Sequence, residues 1–513
     1  MNFKKLLIGC FVTLIGIGAC QSDLDQYRVD PSNMTDEQFW AEGKTSNGLR
    51  VLSTIYTNVV GWRMYGRRFS TTFPVLVNDA EVYQSGQPHW FQFESHTYLP
   101  SNKEVVGLWQ DLYKTVSYCN DLINHHDAMT PTDEFPQEVI NDWVGQAHFM
   151  RALCYYHLLN LWSEDYPSRN PEARGVPILT KVPENYDEYF AARASVSEGY
   201  MQMEQDFLKS IELMIDSPKN TGNQVGMVNR YASYGFLAQV YLGWGKYDEA
   251  IEALKMIVDS GIYELNPVIS MAYDGDHEYS KEAIMEWEYN DTGFGLHAFN
   301  STYSLVPLYF LSISPHGARA NFKVPNTVME RFGDDPRMPY SVLQAGEEVP
   351  LLSGGTGVVN DNHTRKFVST TEPFKHSQQE SSTVNICALR LSHVYMMLAE
   401  AYNAKGQDGL AQEYLNKIRR RAYGQDPDTP DPSIDLNLSG NELRDEIRED
   451  SWREFYHEFN RWYDINRWGI TKQELEKMAP EGSDFVYYDH MKYWPLPPKE
   501  IENNHNLKQN AGY

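Results

Sequence analysis

Three groupings in the sequence carry residue types that could do chemistry, and each fails on spacing or context. His457-Glu458-x-x-Arg461 has the outline of the helical zinc-protease signature, which needs histidine at both ends so that two imidazoles share one helix face. Arginine stands at the second position and cannot ligate zinc. Gly354-Gly355-Thr356-Gly357 is glycine-rich, yet no Lys-Ser/Thr follows it and no strand-to-helix pattern surrounds it, so it reads as a hairpin turn and not a phosphate cradle. Carboxylate pairs suited to glycoside hydrolysis arise by chance among 70 acidic residues, and nothing marks one pair out. No Gly-x-Ser-x-Gly elbow is present, and His125-His126 is an isolated pair at a helix end that reads as surface. Cys119, Cys154 and Cys387 form an odd set without metal-like spacing, which excludes a disulfide framework. Cys119 and Cys154 lie in apolar helical patterns and are expected to be buried free thiols. The expectation is a protein that is not an enzyme, with no metal site and no cofactor.

The bulk properties narrow the classes further. A chain of 513 residues with 42% hydrophobic and 22% charged residues can bury a large core, which excludes disorder and collagen. Lys plus Arg number 44 against 70 Asp plus Glu, and a net charge of −26 repels phosphates, so nucleic acid is not an expected partner. The apolar run Leu6 to Ala19 is shorter than the roughly 20 residues a membrane-spanning helix needs. With Lys4 and Lys5 before it, the run fits the core of a signal peptide. It ends in Ile17-Gly18-Ala19-Cys20, which resembles the lipobox of bacterial lipoproteins, where the chain is cut before the cysteine and the thiol is acylated. Asp23 and Asp25 resemble the surface-export signals that follow such cysteines in Bacteroidetes. A multiply acylated Cys20 would hold the protein at a membrane stably.

The elements that would position any site are mostly helices. Residues 20–45 are polar and Pro-interrupted and read as an extended tether. Helical periodicity starts near Gly48, is strong from Glu104 to Ala128 and from Gln137 to Trp162, and returns over Met201 to Ile215, Tyr231 to Gly243 and Asp248 to Asp259. Arg453 to Trp468, with its alternating acids, bases and aromatics, reads as one helix of intrahelical pairs and Arg–Trp stacks. An internal repeat is the most informative signal. Tyr234-x-x-Leu237-Ala238-x-x-Tyr241-x-x-x-Gly245 with Ala250 and Leu254 is matched in register by Tyr395-x-x-Leu398-Ala399-x-x-Tyr402-x-x-x-Gly406 with Ala411 and Leu415. The alanines let two helices approach and the glycines turn the chain, which resembles the tetratricopeptide helix pair. Tandem copies repeat at ~34 residues, and these lie 161 apart, so something interrupts the array. The interruption, about 266–385, lacks helical period and is rich in Gly, Pro and aromatics, the kind of irregular segment that carries function.

Four separated segments carry a family resemblance. They are the lipobox at Cys20; Trp109-x-x-Leu112-Tyr113 with Asn120; Phe332-x-Asp334-Asp335-Pro336-Arg337; and Arg390-Leu391 through Leu398-Ala399-Glu400-Ala401. The strongest match is terminal: Glu458-x-x-Arg461-Trp462-x-Asp464-x-x-Arg467-Trp468-Gly469, then Pro495-Leu496-Pro497, Glu500-Ile501 and Asn506-Leu507-x-Gln509-Asn510-x-Gly512-Tyr513. Together they resemble the SusD/RagB family of Bacteroidetes surface lipoproteins, which capture nutrients for a TonB-dependent outer-membrane channel. Phe459-Asn460 stand where that family usually has Gly-His, and His393 where Glu is common; both departures bear on packing.

The resemblance implies a mostly α fold: tetratricopeptide-like helix pairs forming a scaffold, with an irregular loop-rich insertion and few short strands. It implies a lipoprotein signal over 1–19, the tether over 20–45 and a single globular unit over 46–513. It further implies a lipid-anchored, surface-exposed outer-membrane protein that binds an oligosaccharide and delivers it to a SusC-like transporter. A peptide-binding RagB-like member is the alternative; a surface glycoside hydrolase and a protein-binding assembly lipoprotein are more distant ones. Glycan-binding relatives resemble one another in an aromatic arc built from an N-terminal loop and the mid-chain insertion. Two segments fit by composition and place, Tyr83 to Tyr98 and Trp287 to Phe310, because ring faces stack on the apolar face of a pyranose. Trp90 and Trp287, flanked by the turn residues Gln87-Pro88 and Asn290-Asp291-Thr292-Gly293, are expected on one exposed face. Tyr83, Phe294 and Tyr303 stand behind them as ligand candidates.

Overall fold

The computed structural model describes residues 39–40, 44–61, 63–83, 87–166, 170, 172–183, 185–218, 225–289, 321–350, 355–367, 384–479 and 484–513. Its helices are α1 (Lys44–Val60), α2 (Arg68–Leu76), α3 (Pro88–Glu94), α4 (Lys103–Asn124), α5 (Gln137–Trp162), α6 (Val196–Leu213), α7 (Arg230–Trp244) and α8 (Tyr247–Val258). Then follow α9 (Asn326–Phe332), α10 (Met338–Ser341), α11 (Leu391–Ala404), α12 (Asp408–Ala422), α13 (Gly440–Phe455), α14 (Arg461–Arg467), α15 (Thr471–Met478) and α16 (Pro498–Asn503). Strands are few and short: β1 (Glu81–Val82), β2 (Ala283–Trp287), β3 (Phe322–Lys323), β4 (Val342–Leu343), β5 (Glu348–Pro350), β6 (Thr356–Val358), β7 (His363–Thr364) and β8 (Ile386–Arg390). The fold is mostly α, as the periodicity predicts.

The repeat behaves as its residues require. Gly245 and Gly406 close α7 and α11 with φ of 76° and 71°, a left-handed conformation that costs a Cβ-free residue little. Ala238, Ala250, Ala399 and Ala411 are fully buried, where their small size lets the paired helices meet. Each helix packs on the next from α4 through α8, and α8 then packs directly on α11. The two copies are therefore neighbours, and the array continues across the interruption.

Both ends of the interruption are pinned at one place. β2 pairs antiparallel with β8, Trp287 opposite Ile386, although about a hundred residues separate them. The insertion has more order than its sequence suggests: α9 and α10 lie within it, as do the antiparallel pairs β4–β7 and β5–β6. The β5–β6 pair is the hairpin expected of the glycine-rich stretch.

A buried ionic network fastens this seam to α13. The Arg390 guanidinium donates to Glu282 at 2.8 Å, Glu454 at 2.7 Å and Glu458 at 2.9 Å. Lys366 reaches Glu458 at 2.5 Å, and Arg421 pairs with both Glu282 and Glu454. Burial would raise the Glu458 carboxyl, but Arg390 and Lys366 beside it hold it down to about 2. Burial pushes the Lys366 ammonium down to about 8 despite Glu458.

This network explains why the stretch Arg453 to Trp468 is two helices and not one. Between α13 and α14 the backbone is left-handed at His457 (φ 65°) and Phe459 (φ 73°), which turns Glu458 inward toward Arg390 and Lys366. Tertiary charge pairing overrides the helical period there. Some of the expected local pairs survive, with Arg467 on Asp464 at 2.8 Å and its guanidinium 5.4 Å from the Trp468 ring centre.

Other expectations need adjustment. The tether is docked at its end, because Trp40 is buried, donates to Asp121 at 3.0 Å and stacks on His125 at 4.3 Å. His125 is accordingly half-buried and not a surface residue. Cys119, Cys154 and Cys387 are free and buried. No helix among the described residues is long and apolar enough to cross a membrane.

Candidate functional site

Of the two segments proposed for the ligand, the one beginning at Tyr83 meets the insertion, but at residues 321–323 and 361 and not at Trp287 to Phe310, of which only residues 287–289 are described. β1, just before Tyr83, pairs antiparallel with β3 at the edge of the insertion, Glu81 opposite Lys323 and Val82 opposite Phe322. The Tyr83 amide continues the ladder by donating to the Asn321 carbonyl at 2.8 Å. Its half-buried ring carries a hydroxyl that donates to Asp361, a carboxylate from 278 residues further along the chain. Burial and the adjacent Asp361 push that phenol up. The Lys323 ammonium lies 5.8 Å from the Tyr83 ring centre and pairs with Glu81 at 3.1 Å.

Trp90 and Trp287 are not on an exposed face. Trp90 is 2% exposed and packs edge-on against Phe322 with centroids 4.8 Å apart. The Pro88–Glu94 helix turns His89, Trp90 and Phe93 to the interior, so a short helical face outweighs the polar residues before it. Trp287 has no exposure and packs on Tyr65 at 5.1 Å and Tyr56 at 6.4 Å. It ends a strand whose five residues are all buried, whereas the turn residues that suggested exposure begin three positions later. Truncating either ring to alanine would cost about 3 to 5 kcal/mol, as for other large core aromatics. Phe294, Tyr303 and Cys20 lie outside the described residues.

Beside the β1–β3 ladder opens a cleft of about 440 Å³, within the range of small-molecule sites. Its polar lining comes from Asn78, Glu81, Glu94, Asn326, Thr327 and Glu330, with Met478 at one side. Glu94 accepts the Val82 amide at 2.7 Å, and burial nonetheless raises its carboxyl. Beneath the cleft the neighbouring Asp79 takes the Trp452 indole N–H at 2.9 Å, and its backbone carbonyl takes the Tyr456 hydroxyl at 2.9 Å. Burial pushes Asp79 up to about 6. The cleft is rich in hydrogen-bond acceptors at short spacing, which suits a ligand that offers many hydroxyl or amine donors. Among the described residues no group of His, Cys, Asp and Glu has the makings of a metal site. Of this lining, only Glu81 and Glu94 lie near or within the segment singled out from sequence. Asp361, Lys323 and Glu330 join through pairing at long range, which leaves no local signal.

The comparisons with known proteins agree with this architecture. A family model described as "SusD family" matches residues 353–513, and one described as "Starch-binding associating with outer membrane" matches residues 44–242. Among curated relatives, SusD-like protein P2 of Formosa agariphila is 24% identical over 99% of this chain and all of its own length. A SusD homolog from Bacteroides thetaiotaomicron superposes with a TM-score of 0.75 at 18% identity, covering 91% of this chain and 97% of its own. A laminarin-binding SusD-like protein does so at 0.71 and 20% identity, covering 92% and 99%. The chain belongs to the SusD/RagB-like family.

Proposed function

We propose that this protein is a surface lipoprotein that captures an oligosaccharide at the Tyr83 shelf and its adjoining cleft, without cleaving it. Acylation at Cys20 anchors it to the outer membrane, and a SusC-like TonB-dependent transporter takes the glycan from it. The observation that carries the reading is the β1–β3 ladder, because it joins the N-terminal loop to the insertion beside a polar cleft of ligand size. The match to a starch-binding family model and the likeness to a laminarin-binding SusD-like protein support a glycan as ligand. The cleft's carboxylates accept sugar hydroxyls, and the half-exposed face of Tyr83 offers a ring for stacking.

Calorimetry of the purified protein with amylose and laminarin oligosaccharides tests this. Tyr83→Ala and Glu330→Gln should each weaken binding about tenfold with little change in melting temperature. Undiminished affinity in both variants would remove the site from contention, and binding of cationic peptides in place of any glycan would favour the RagB-like alternative. Release of reducing ends that Glu94→Gln abolishes would make the protein a hydrolase. Mass spectrometry of the mature amino terminus should find lipid on Cys20.

A further inference from the structure

Far along the chain from the Tyr83 shelf, the helical array holds a second cavity, of about 150 Å³, where α7, α8, α11, α13 and the end of α14 converge. Its charged lining is Glu400, Arg444, Arg448 and Arg467, and Trp468 forms a wall shared with a smaller cavity on the other side. In a chain of net charge −26, three guanidiniums around one space is a local reversal.

The arginines differ in how well they are matched. Arg467 is engaged by Glu400 and by Asp464 at 2.8 Å. Arg444 and Arg448 share a single carboxylate, the largely exposed Asp445, at 3.2 Å and 3.6 Å. Arg448 also donates to the Trp468 carbonyl at 3.5 Å and lies 5.5 Å from the centre of the Trp468 ring. Burial and the neighbouring Arg444 lower the Arg448 guanidinium below its usual range despite the nearby Glu400 and Asp445 carboxylates. The Trp468 indole N–H is buried and has no acceptor among the described residues. Buried donors of this kind are ordinarily satisfied. That nitrogen has almost no accessible surface, so it is Arg444 and Arg448 that open on the cavity, with one largely exposed carboxylate between them, and the space beside them suits a compact acceptor carrying negative charge.

We infer that this cavity is a binding site for a carboxylate group, held by Arg448 and Arg444 against the wall that Trp468 forms. A guanidinium presents two parallel N–H groups that match the two oxygens of a carboxylate. The available space is that of a benzene-sized guest, so a ligand larger than a small acid would leave the rest of itself outside. The carboxylate could belong to a free acid or to an acidic sugar, and the two sources are separable by experiment. The site is independent of the proposed glycan cleft, so either can fail without the other.

The test uses full-length protein carrying 15N-labelled tryptophan, titrated at constant ionic strength with acetate, galacturonate, galactose and chloride. The Trp468 indole resonance, assigned by its loss in Trp468→Phe, should move saturably with acetate and galacturonate and stay still with galactose. Arg448→Gln and Arg444→Gln should each weaken that response at least tenfold, and Arg230→Gln should not. Tighter binding of galacturonate than acetate assigns the sugar acid; equal binding assigns the carboxylate alone. If Arg448 serves only to offset the carbonyl end of α14, Arg448→Gln will lower the melting temperature and leave anion affinity intact, which overturns the inference. A shift with chloride as large as with acetate, or no saturable shift, overturns it too.

Discussion

Ala238 and Ala399 are buried in apolar contacts between helices close in sequence, whereas Arg390, Glu282, Glu454 and Glu458 are buried just as deeply at a seam joining residues far apart. Apolar packing is non-directional and falls off gradually as volume changes. A buried ion network has a different failure mode, because removing one member strands charges that water cannot reach. The array can therefore absorb small substitutions, while the seam holds the insertion in one placement or loses it.

The sharpest way to break this contrast is at its centre. Arg390→Met leaves Glu282, Glu454 and Glu458 without their main partner and should cost about 3 to 5 kcal/mol in denaturant unfolding. Ile257→Val in the fully buried wall of α8 should cost only about 0.5 to 1.5 kcal/mol. Equal losses in the two variants would erase the distinction between seam and array.

Acid should act on the seam through Glu458. Its carboxyl sits at about 2 in the folded protein against an ordinary 4.5, so folding gains from its ionised form. That gain is complete above pH 4.5 and drains away as pH falls toward 2. Unfolding free energies at pH 6, 4 and 3 should therefore decline more steeply in the native protein than in Glu458→Gln. Parallel declines would assign acid sensitivity to other carboxylates.

The smallest effect concerns Phe459, at φ 73° where the family usually has glycine. Its ring stacks on Phe367 at 5.5 Å, so any truncation loses contact with the insertion. Between truncations, however, Phe459→Gly should be more stable than Phe459→Ala by about 1 kcal/mol, because left-handed backbone penalises a Cβ. Thermal melts of the two variants measure it, and an alanine variant at least as stable would mean the turn relaxes.

What sequence revealed follows the same division. Ala238, Gly245, Ala399 and Gly406 announce their roles because each acts on neighbours within a few residues, and repetition doubles the signal. The boundaries of α5 are legible for the same reason, Pro136 preceding its first turn. At the candidate site, the sequence marks Tyr83 as an aromatic beside a loop, but not its partner Asp361 or the pairing of β1 with β3. Trp90 and Trp287 misled because their flanks are polar while their own faces are apolar: Phe93 lies one turn beyond Trp90, and four buried residues precede Trp287. The break at His457 and Phe459 had no local cause to read, since Arg390 and Lys366 impose it from elsewhere in the chain.

The pairing of β2 with β8 has a consequence for how such a protein can change over generations. Holding the two ends of the insertion side by side fixes the exit and re-entry points, so the scaffold does not depend on the length of chain between them. Closing a flexible loop twice as long costs only about 0.6 kcal/mol more. Between Trp287 and Ile386 the chain can thus vary in length outside the parts packed on α13, such as α9 and Lys366, while α8 and α11 stay in contact. A single helical frame can in this way serve as a socket for many different recognition modules.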